Sequence, residues 1–597
     1  MEMLRTLLRY ARPYRAGILL GLGLVVASNV LTVGVPYVLK LGIDALEGGA
    51  TSRTLLAYAG AIVGITVLGG AARYGMRHLL NGFSRRIECD LRDDFFAHLL
   101  RLAPDFYARM HTGEIVSRAT NDIQAARQVA GPAIMYLVNT AVVGGLSLAL
   151  MIWIDARLTA IALIPMALLP PTMFYFGREI HDRFEKIQAQ FGRISTFVQE
   201  NLSGIRIVQA YRQEDAQAAD FEALNREYLT QNLSLAKRWG YFHPTLTLLA
   251  GLGAVVVLWL GGRAVMSGRM TVGDFVAFGL YLALLGWPLI ALGWVVNLFQ
   301  RGAASMGRIL EVMKETPAIR DAAGAVPLER ARGRIELRNV SFRYPGTERW
   351  VLRDVSLSIP AGRTIAIVGA TGSGKTSLVR LLPRLYDPTE GQVLLDGRDI
   401  REIRLEDLRR QISLVPQEPF LFSETIEWNV GFALRDGLDP ERVRWAAEVA
   451  QLAETIEHDL PRGYATQLGE RGINLSGGQK QRATLARAVA RHAPILILDD
   501  ALSSVDTHTE REILQRLRPV WADRTSVVVS HRVTAVMNAD RIFVLEDGRV
   551  AEEGTHDELV RRGGVYATLL RRQLIEETLS DPLEQELRSQ VGEPAGE

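Results

Sequence analysis

The sequence predicts two folds in one chain: a membrane α-helical domain, then a soluble α/β domain built around a phosphate-binding loop. Three observations predict it. Six windows without Asp, Glu, Lys or Arg divide the first half, and this membrane character stops after Arg301. From Arg334 onward, apolar β-branched runs alternate with helical patterns. One of those runs leads directly into Gly369-Ala370-Thr371-Gly372-Ser373-Gly374-Lys375-Thr376.

The totals bound the answer. A length of 597 residues exceeds one domain and predicts several. A formal charge of +2 is too near neutral to argue for a nucleic-acid partner. Cys89 is the single cysteine, so no intrachain disulfide can form and the redox compartment stays open.

The charge-free windows lie between Arg15 and Lys40, Arg53 and Arg73, Arg127 and Asp155, Arg157 and Arg178, Arg238 and Arg263, and Asp274 and Arg301. Each is long enough to cross a roughly 30 Å hydrocarbon core as a helix. A soluble helical protein would place charges on the exposed face of nearly every helix. Arg5, Arg9, Arg12 and Arg15 give the N-terminus a signal-peptide flavour, but the apolar stretch that follows is long for one and contains Pro36. It is read as the first of six transmembrane helices. The connections 73–127 and 178–238 are long and arginine-rich, whereas the others are short. The positive-inside rule therefore puts both termini, both long connections and the soluble half in the cytoplasm of a multi-pass inner-membrane protein. Phe83, Ile87, Leu91, Phe95 and Leu99 keep helical spacing, so the membrane helices are expected to continue beyond the bilayer. Pro165, Pro170, Pro171 and Pro288 are expected to bend theirs.

The domains are placed at 1–310 for the membrane half, 311–333 for a polar linker, 334–575 for the soluble half and 576–597 for a tail. In the soluble half, Ile335, Leu337, Val340 and Phe342 predict a strand with one bulge. In the tail, Leu583, Leu587 and Val591 predict a short helix with one apolar stripe that packs on a partner's C-terminal segment.

Thr364-Ile365-Ala366-Ile367-Val368 reads as a buried strand and Ser377–Leu382 as the start of a helix. Strand, GxxxxGK(S/T), helix is the context of a nucleotide-binding P-loop. Its glycines let backbone N–H groups curl around phosphate, and the helix N-terminus favours negative charge. Lys375 then reaches the β- and γ-phosphates while Thr376 holds Mg²⁺. Downstream, Ile495-Leu496-Ile497-Leu498-Asp499 is an aliphatic strand that delivers a carboxylate to that ion.

Between them stands Leu475-Ser476-Gly477-Gly478-Gln479. With P-loop, LSGGQ and Walker B strand in this order, the chain resembles the ATP-binding cassette (ABC) transporter family. The resemblance implies an exporter fold and assigns the cassette residue by residue. Gly369, Thr371, Gly372, Ser373, Gly374, Lys375, Thr376 and Ser377 cradle ATP. Tyr344 stacks on adenine. Ser476, Gly477, Gly478 and Gln479 close on a nucleotide from the opposite chain. Gln417 joins Thr376 and Asp499 around Mg²⁺, and His531 touches the γ-phosphate. Gly469–Gly472 resembles an exporter loop that meets the partner's intracellular helices, and Ser503–Asp506 sits at the D-loop. Thr112–Arg118 with Asn121-Asp122 resembles the first coupling region, and Glu200–Arg206 with Tyr211 and Glu214 the second.

One position departs from the family. Glutamate ordinarily follows the Walker B aspartate and polarises the attacking water, and here that residue is Asp500. Its carboxylate retracts by about 1.5 Å, one carbon–carbon bond. A misplacement of about 1 Å can cost roughly 100-fold in rate. ATP binding with slow hydrolysis is expected at this site. The resemblance then implies a heterodimer, in which a homologous half-transporter with an intact glutamate supplies the working site. It also implies ATP-driven export of peptides or amphipathic drug-like molecules within membrane lipids. An ATP-gated channel or sensor and a homodimeric lipid flippase share the architecture and remain the alternatives.

Overall fold

A backbone in hydrocarbon must satisfy its own hydrogen bonds, and the six windows accordingly lie in long helices. The computed structural model describes residues 2–434, 437–533 and 536–575. The tail expected to form a partner contact lies outside them. Two compact units divide the chain: residues up to Leu100 with Thr112–Glu315, and Arg101–His111 with the chain from Thr316 on.

In the first unit, six helices are long and apolar enough to cross a membrane: Arg5–Glu47, Ser52–Leu99, Thr112–Ile154, Ala156–Ser203, Glu214–Met266 and Val272–Lys314. The second runs unbroken for 48 residues, so the expected continuation beyond a bilayer is present. Proline acts unevenly. The fourth helix breaks at Leu168, whose N–H turns to the Pro165 carbonyl at 3.3 Å and to that of Met166 rather than to residue 164, and restarts with Pro170 and Pro171 in its first turn. There their missing N–H groups cost nothing. Pro288, by contrast, lies inside a continuous helix. The third helix carries two wider π turns, Arg118–Asp122 and Val129–Ala133, the latter around Pro132.

The stretch read as the first coupling region, Thr112–Arg118 with Asn121-Asp122, lies in this first unit. Buried Arg118 donates to Glu114 Oε1 at 2.6 Å, to Glu311 Oε2 at 2.9 Å and to the Arg308 carbonyl. Arg308 in turn grips both oxygens of Asp122, at 2.8 and 2.5 Å. The piece that folds with the second unit is the preceding one, Arg101–His111, with its short helix Pro104–Arg109. The second expected region behaves differently: Ile205–Ala210 is a short helix with no buried residue, and Leu202, Ile207 and Tyr211 are exposed.

The second unit holds two sheets. In the antiparallel one, β1 (Ile335–Phe342) lies between β2 (Leu352–Ile359) and β4 (Glu390–Leu395), with the short β5 (Arg398–Asp399) at the edge. The single expected bulge is a double one: the β1–β2 register shifts between Leu337 and Val340 and again before Phe342, and Asn339 sits at φ 51°. Asparagine is among the few residues that take the left-handed region at modest cost. The second sheet has the order β10-β9-β3-β8-β7-β6. Its strands are β3 (Thr364–Val368), β6 (Ile412–Val415), β7 (Ile495–Asp499), β8 (Thr525–Val529), β9 (Arg541–Glu546) and β10 (Arg549–Gly554). All but β10 pair in parallel. Four consecutive residues of β3, Ile365–Val368, are buried, because a central parallel strand is covered on both faces.

One arginine organises the segment after β6. Arg487 donates to the carbonyls of Asn429 and Phe420 and to Asn429 Oδ1, and lies 5.9 and 5.6 Å from the ring centres of Phe422 and Phe432. Burial pulls its pKa down to about 10. Arg487→Met strands those acceptors and is expected to destabilise the soluble unit by about 1–3 kcal/mol, seen as a lower unfolding midpoint. Arg487→Lys should recover only part of it, because a single ammonium cannot span three acceptors.

Candidate functional site

The parallel strands end together, and the chain leaves β3 at their C-terminal edge, where α/β sheets place ligands. The first residue out is Gly369, at φ 153°, where a Cβ would lie 2.2 Å from the Leu545 carbonyl oxygen. No other residue fits. The loop turns at Gly372 and Gly374 and enters the helix Lys375–Leu381, which presents its N-terminal N–H groups to the space in front.

That space is a cavity of about 330 Å³, lined by Thr371, Gly372, Gly374, Lys375, Thr376, Ser377, Val351, Gln417, Asp500 and His531. Lys375 is 8 % exposed, and its ammonium donates to the carbonyls of Gly369 and Ala370 at 2.8 and 2.9 Å. Burial depresses its pKa, against the opposing pull of Asp500 and Asp499. Asp499 ends β7, two strands from β3, and accepts the Thr376 hydroxyl at 3.1 Å. Burial raises the pKa of Asp499, and the Thr376 bond counteracts this. Ser373 Oγ is buried without a partner, a free hydroxyl inside a loop built for an anion.

These donors fit Mg²⁺. Thr376 and Asp499 meet directly and Gln417 shares the cavity, an all-oxygen set suited to a hard cation. Among the described residues no group of three His, Cys, Asp or Glu side chains could hold a metal alone. An ion here would complete its shell with phosphate oxygens and water, as Mg²⁺ prefers.

Asp500 follows at φ 51°, with its N–H on the Val529 carbonyl. Its carboxylate is already engaged: His531 Nδ1 lies 2.8 and 3.0 Å from the two oxygens, and the His531 backbone N–H adds a longer bond of 3.4 Å. With Nδ1 committed to Asp500, Nε2 is the ring nitrogen left to face a phosphate.

Tyr344 stands outside this cavity, but its hydroxyl shares a 2.9 Å hydrogen bond with Ser377, which lines it. Edge-on contacts with Phe342 and Tyr386 hold its ring. Ser476, Gly477, Gly478 and Gln479 also lie outside the lining. They form the start of the helix Gly477–Ala490, where Ser476 and Gln479 cap each other reciprocally. At Gly478 a Cβ would sit 2.8 Å from the Ser504 carbonyl oxygen, so the helix start passes the D-loop at backbone distance.

Sequence reasoning missed Gln481. Buried two residues beyond LSGGQ, it donates to Ser503 Oγ and accepts from the Ser504 N–H, both at 2.8 Å. It fixes the D-loop to the LSGGQ helix. Its only advance signal was a glutamine among the buried alanines and leucine of that helix. Arg532, bonded to Glu510 at 2.6 Å, was missed likewise.

Two family profiles match the chain: the one described as the ABC transporter transmembrane region over residues 18–289, and the one described as ABC transporter over residues 352–503. The multidrug resistance-like ATP-binding protein MdlA of Escherichia coli (strain K12) is 35 % identical over 560 residues, 94 % of each chain. An ATP-dependent lipid A-core flippase of Syntrophus aciditrophicus (strain SB) is 34 % identical over 581 residues, 97 % of this chain and 96 % of that one. A solved structure described as a bacterial Atm1-family ABC exporter with ATP bound aligns with a TM-score of 0.73 at 29 % identity, covering 94 % of this chain and 98 % of the other.

Lys375→Ala removes the one ammonium in the loop. Photolabelling of this chain by 8-azido-ATP in the assembled transporter is expected to need about 10- to 100-fold more nucleotide, the loss of a charge-assisted bond.

Proposed function

The chain belongs to the ABC transporter family, and from that premise we propose that it is the degenerate-site half of a heterodimeric exporter. It moves peptides or amphipathic drug-like molecules out across the cytoplasmic membrane, with its nucleotide-binding unit in the cytoplasm. In this respect it resembles the TmrB subunit of the exporter TmrAB. The observation that carries the reading is Asp500: the position of the water-polarising glutamate holds a shorter acid, and His531 occupies both of its oxygens.

Each residue then has a task. Gly369–Ser377 and Lys375 hold the triphosphate, and Thr376, Gln417 and Asp499 would hold Mg²⁺, which neutralises phosphate charge. Tyr344, positioned by Ser377, offers its ring to adenine. Ser476–Gln479, away from this chain's own phosphate loop, serve the partner's nucleotide. Closure on ATP drives the membrane helices to the outward state through the coupling segments, and hydrolysis at the partner's site resets the pair. ATP at the Asp500 site stays bound longer and acts as a hinge.

A homodimeric lipid flippase is the second reading, favoured by the similarity to proteins named lipid A-core flippases. Purification from native membranes separates the two: a stoichiometric homologous subunit supports the heterodimer, and this chain alone overturns it.

In the heterodimer, Asp500→Asn is expected to leave ATP turnover nearly unchanged, while glutamine at the partner's matching glutamate nearly abolishes it. Asp500→Glu should raise turnover toward that of two working sites, provided the partner's LSGGQ-equivalent supports catalysis. Loss of all turnover on Asp500→Asn, with ATP binding intact, would make this the main catalytic site.

A further inference from the structure

We propose that the soluble unit carries a second anion site, at the opposite end of its parallel sheet from the phosphate loop, and that this site takes an organic phosphate. It is a cavity of about 480 Å³ between the helix Thr507–Trp521 and the segment that leads into β9. That volume suits a small molecule. Thr364 opens β3 and Asp540 precedes β9, and both line the cavity from the N-terminal ends of those strands. The phosphate loop leaves β3 at its other end, so the length of the strand, roughly 16 Å, separates the two sites.

Helical spacing builds one wall. Arg511, Leu514, Gln515 and Arg518 fall at i, i+3, i+4 and i+7 and line the cavity, while Ile513, Leu517 and Val520 turn into the core. Both arginines are exposed, and neither has a hydrogen-bond or ion-pair partner among the described residues. The acids of this helix are committed elsewhere: Glu510 holds Arg532 at 2.6 Å, and Glu512 lies 4.0 Å from His508. Trp521 completes the wall, and its indole Nε1 is buried with no partner. An indole nitrogen can only donate, so this buried group calls for an acceptor.

The lining holds a single carboxylate, and it is already taken. Arg363 donates to Asp540 Oδ1 at 3.1 Å, and the Thr364 N–H donates to Oδ2 at 2.8 Å. Two guanidiniums, an indole N–H and the amides of Gln515 and Asn538 thus share one cavity without an acceptor to answer them. Leu514, Val528 and Val536 supply apolar surface beside them. The complement is an oxyanion on an apolar body, and a guanidinium fork matches phosphate oxygens in pairs. Two positive charges without a counter-charge select the near-dianionic phosphate ester over a carboxylate.

The test uses the assembled transporter with Mg-ADP and vanadate trapped in its nucleotide sites and the excess removed by gel filtration, so that the phosphate loops are filled. Equilibrium dialysis compares 1-naphthyl phosphate with neutral 1-naphthol. The phosphate is expected to bind saturably and about tenfold more tightly. Arg511→Gln and Arg518→Gln should each weaken it about tenfold, the loss of one charge-assisted bond, and Trp521→Phe about threefold. Both arginines are on the surface, so neither change is expected to disturb folding. Arg516→Gln is the control: it removes the same charge from the same helix, but Arg516 donates to the Glu448 carbonyl and does not line the cavity. Its affinity should match wild type. Displacement of the probe by hexyl phosphate supports a soluble phosphate ester as the ligand. Displacement only by vesicles containing phosphatidic acid supports the same site with a lipid headgroup as the source. Equal binding of phosphate and naphthol, an equal loss in Arg516→Gln and Arg511→Gln, or no saturable binding overturns the site.

Discussion

A lysine ammonium held in a closed loop by two carbonyls is the constraint on which the nucleotide site depends. Lys375 is buried, two of its three donors go to Gly369 and Ala370, and Asp499 and Asp500 supply the opposite charge. Buried charge is tolerated only when paired or hydrogen-bonded, and carbonyl dipoles supply only part of that. An anion entering the loop completes it. The sheet is arranged to keep this tension in place: β3 is fixed in parallel register between β8 and β9, and β8 spaces it from β7, so that Thr376 and Asp499 meet across the strand ends. The Gly369–Leu545 approach locks the start of the loop against β9.

The same geometry sets the surroundings of Asp500. Asp500 leaves β7 in the left-handed region, which aspartate tolerates better than most side chains because its short polar group can bond locally. Locally is where it bonds, to the ring and the backbone of His531. Those bonds take up part of the carboxylate's acceptor capacity and fix its orientation. The shorter acid thus orients the histidine. Asp500 shares the cavity with the phosphate loop, and its charge opposes the depression of the Lys375 pKa by burial.

What the sequence made legible follows from how local each signal is. The P-loop, the β3 and β7 strands and the long helices are written in contiguous residues, and all of them appear where the pattern puts them. Contacts set by distant partners were not legible. Arg118 looks like a solvated helical residue until Glu311 and the Arg308 carbonyl, almost two hundred positions away, close around it. The membership of Arg101–His111 in the second unit is likewise a tertiary fact: Pro104 marks a new helix start but not which unit that helix joins. Proline gave half the answer: paired at 170 and 171 it restarts a helix, and alone at 288 it leaves the helix continuous. Gln481 shows the converse, a residue invisible beside a famous motif whose bonds set that motif's geometry.

Charge in the membrane half follows two rules, and the contrast between them is informative. Where helices pack, ions are paired: Arg118 with Glu114 and Glu311, Arg308 with Asp122, Lys40 with Asp274 at 2.6 Å. Pairing is what burial demands, because an isolated charge there pays full desolvation. On the exposed face of the second helix the rule changes, and from Arg73 to Arg86 the cations have no acid of their own stretch. They are held instead by neighbours outside that stretch: Arg73 by Thr32, Arg85 by Glu88 at 2.9 Å, and Arg86 by the rings of Tyr14 and Phe83.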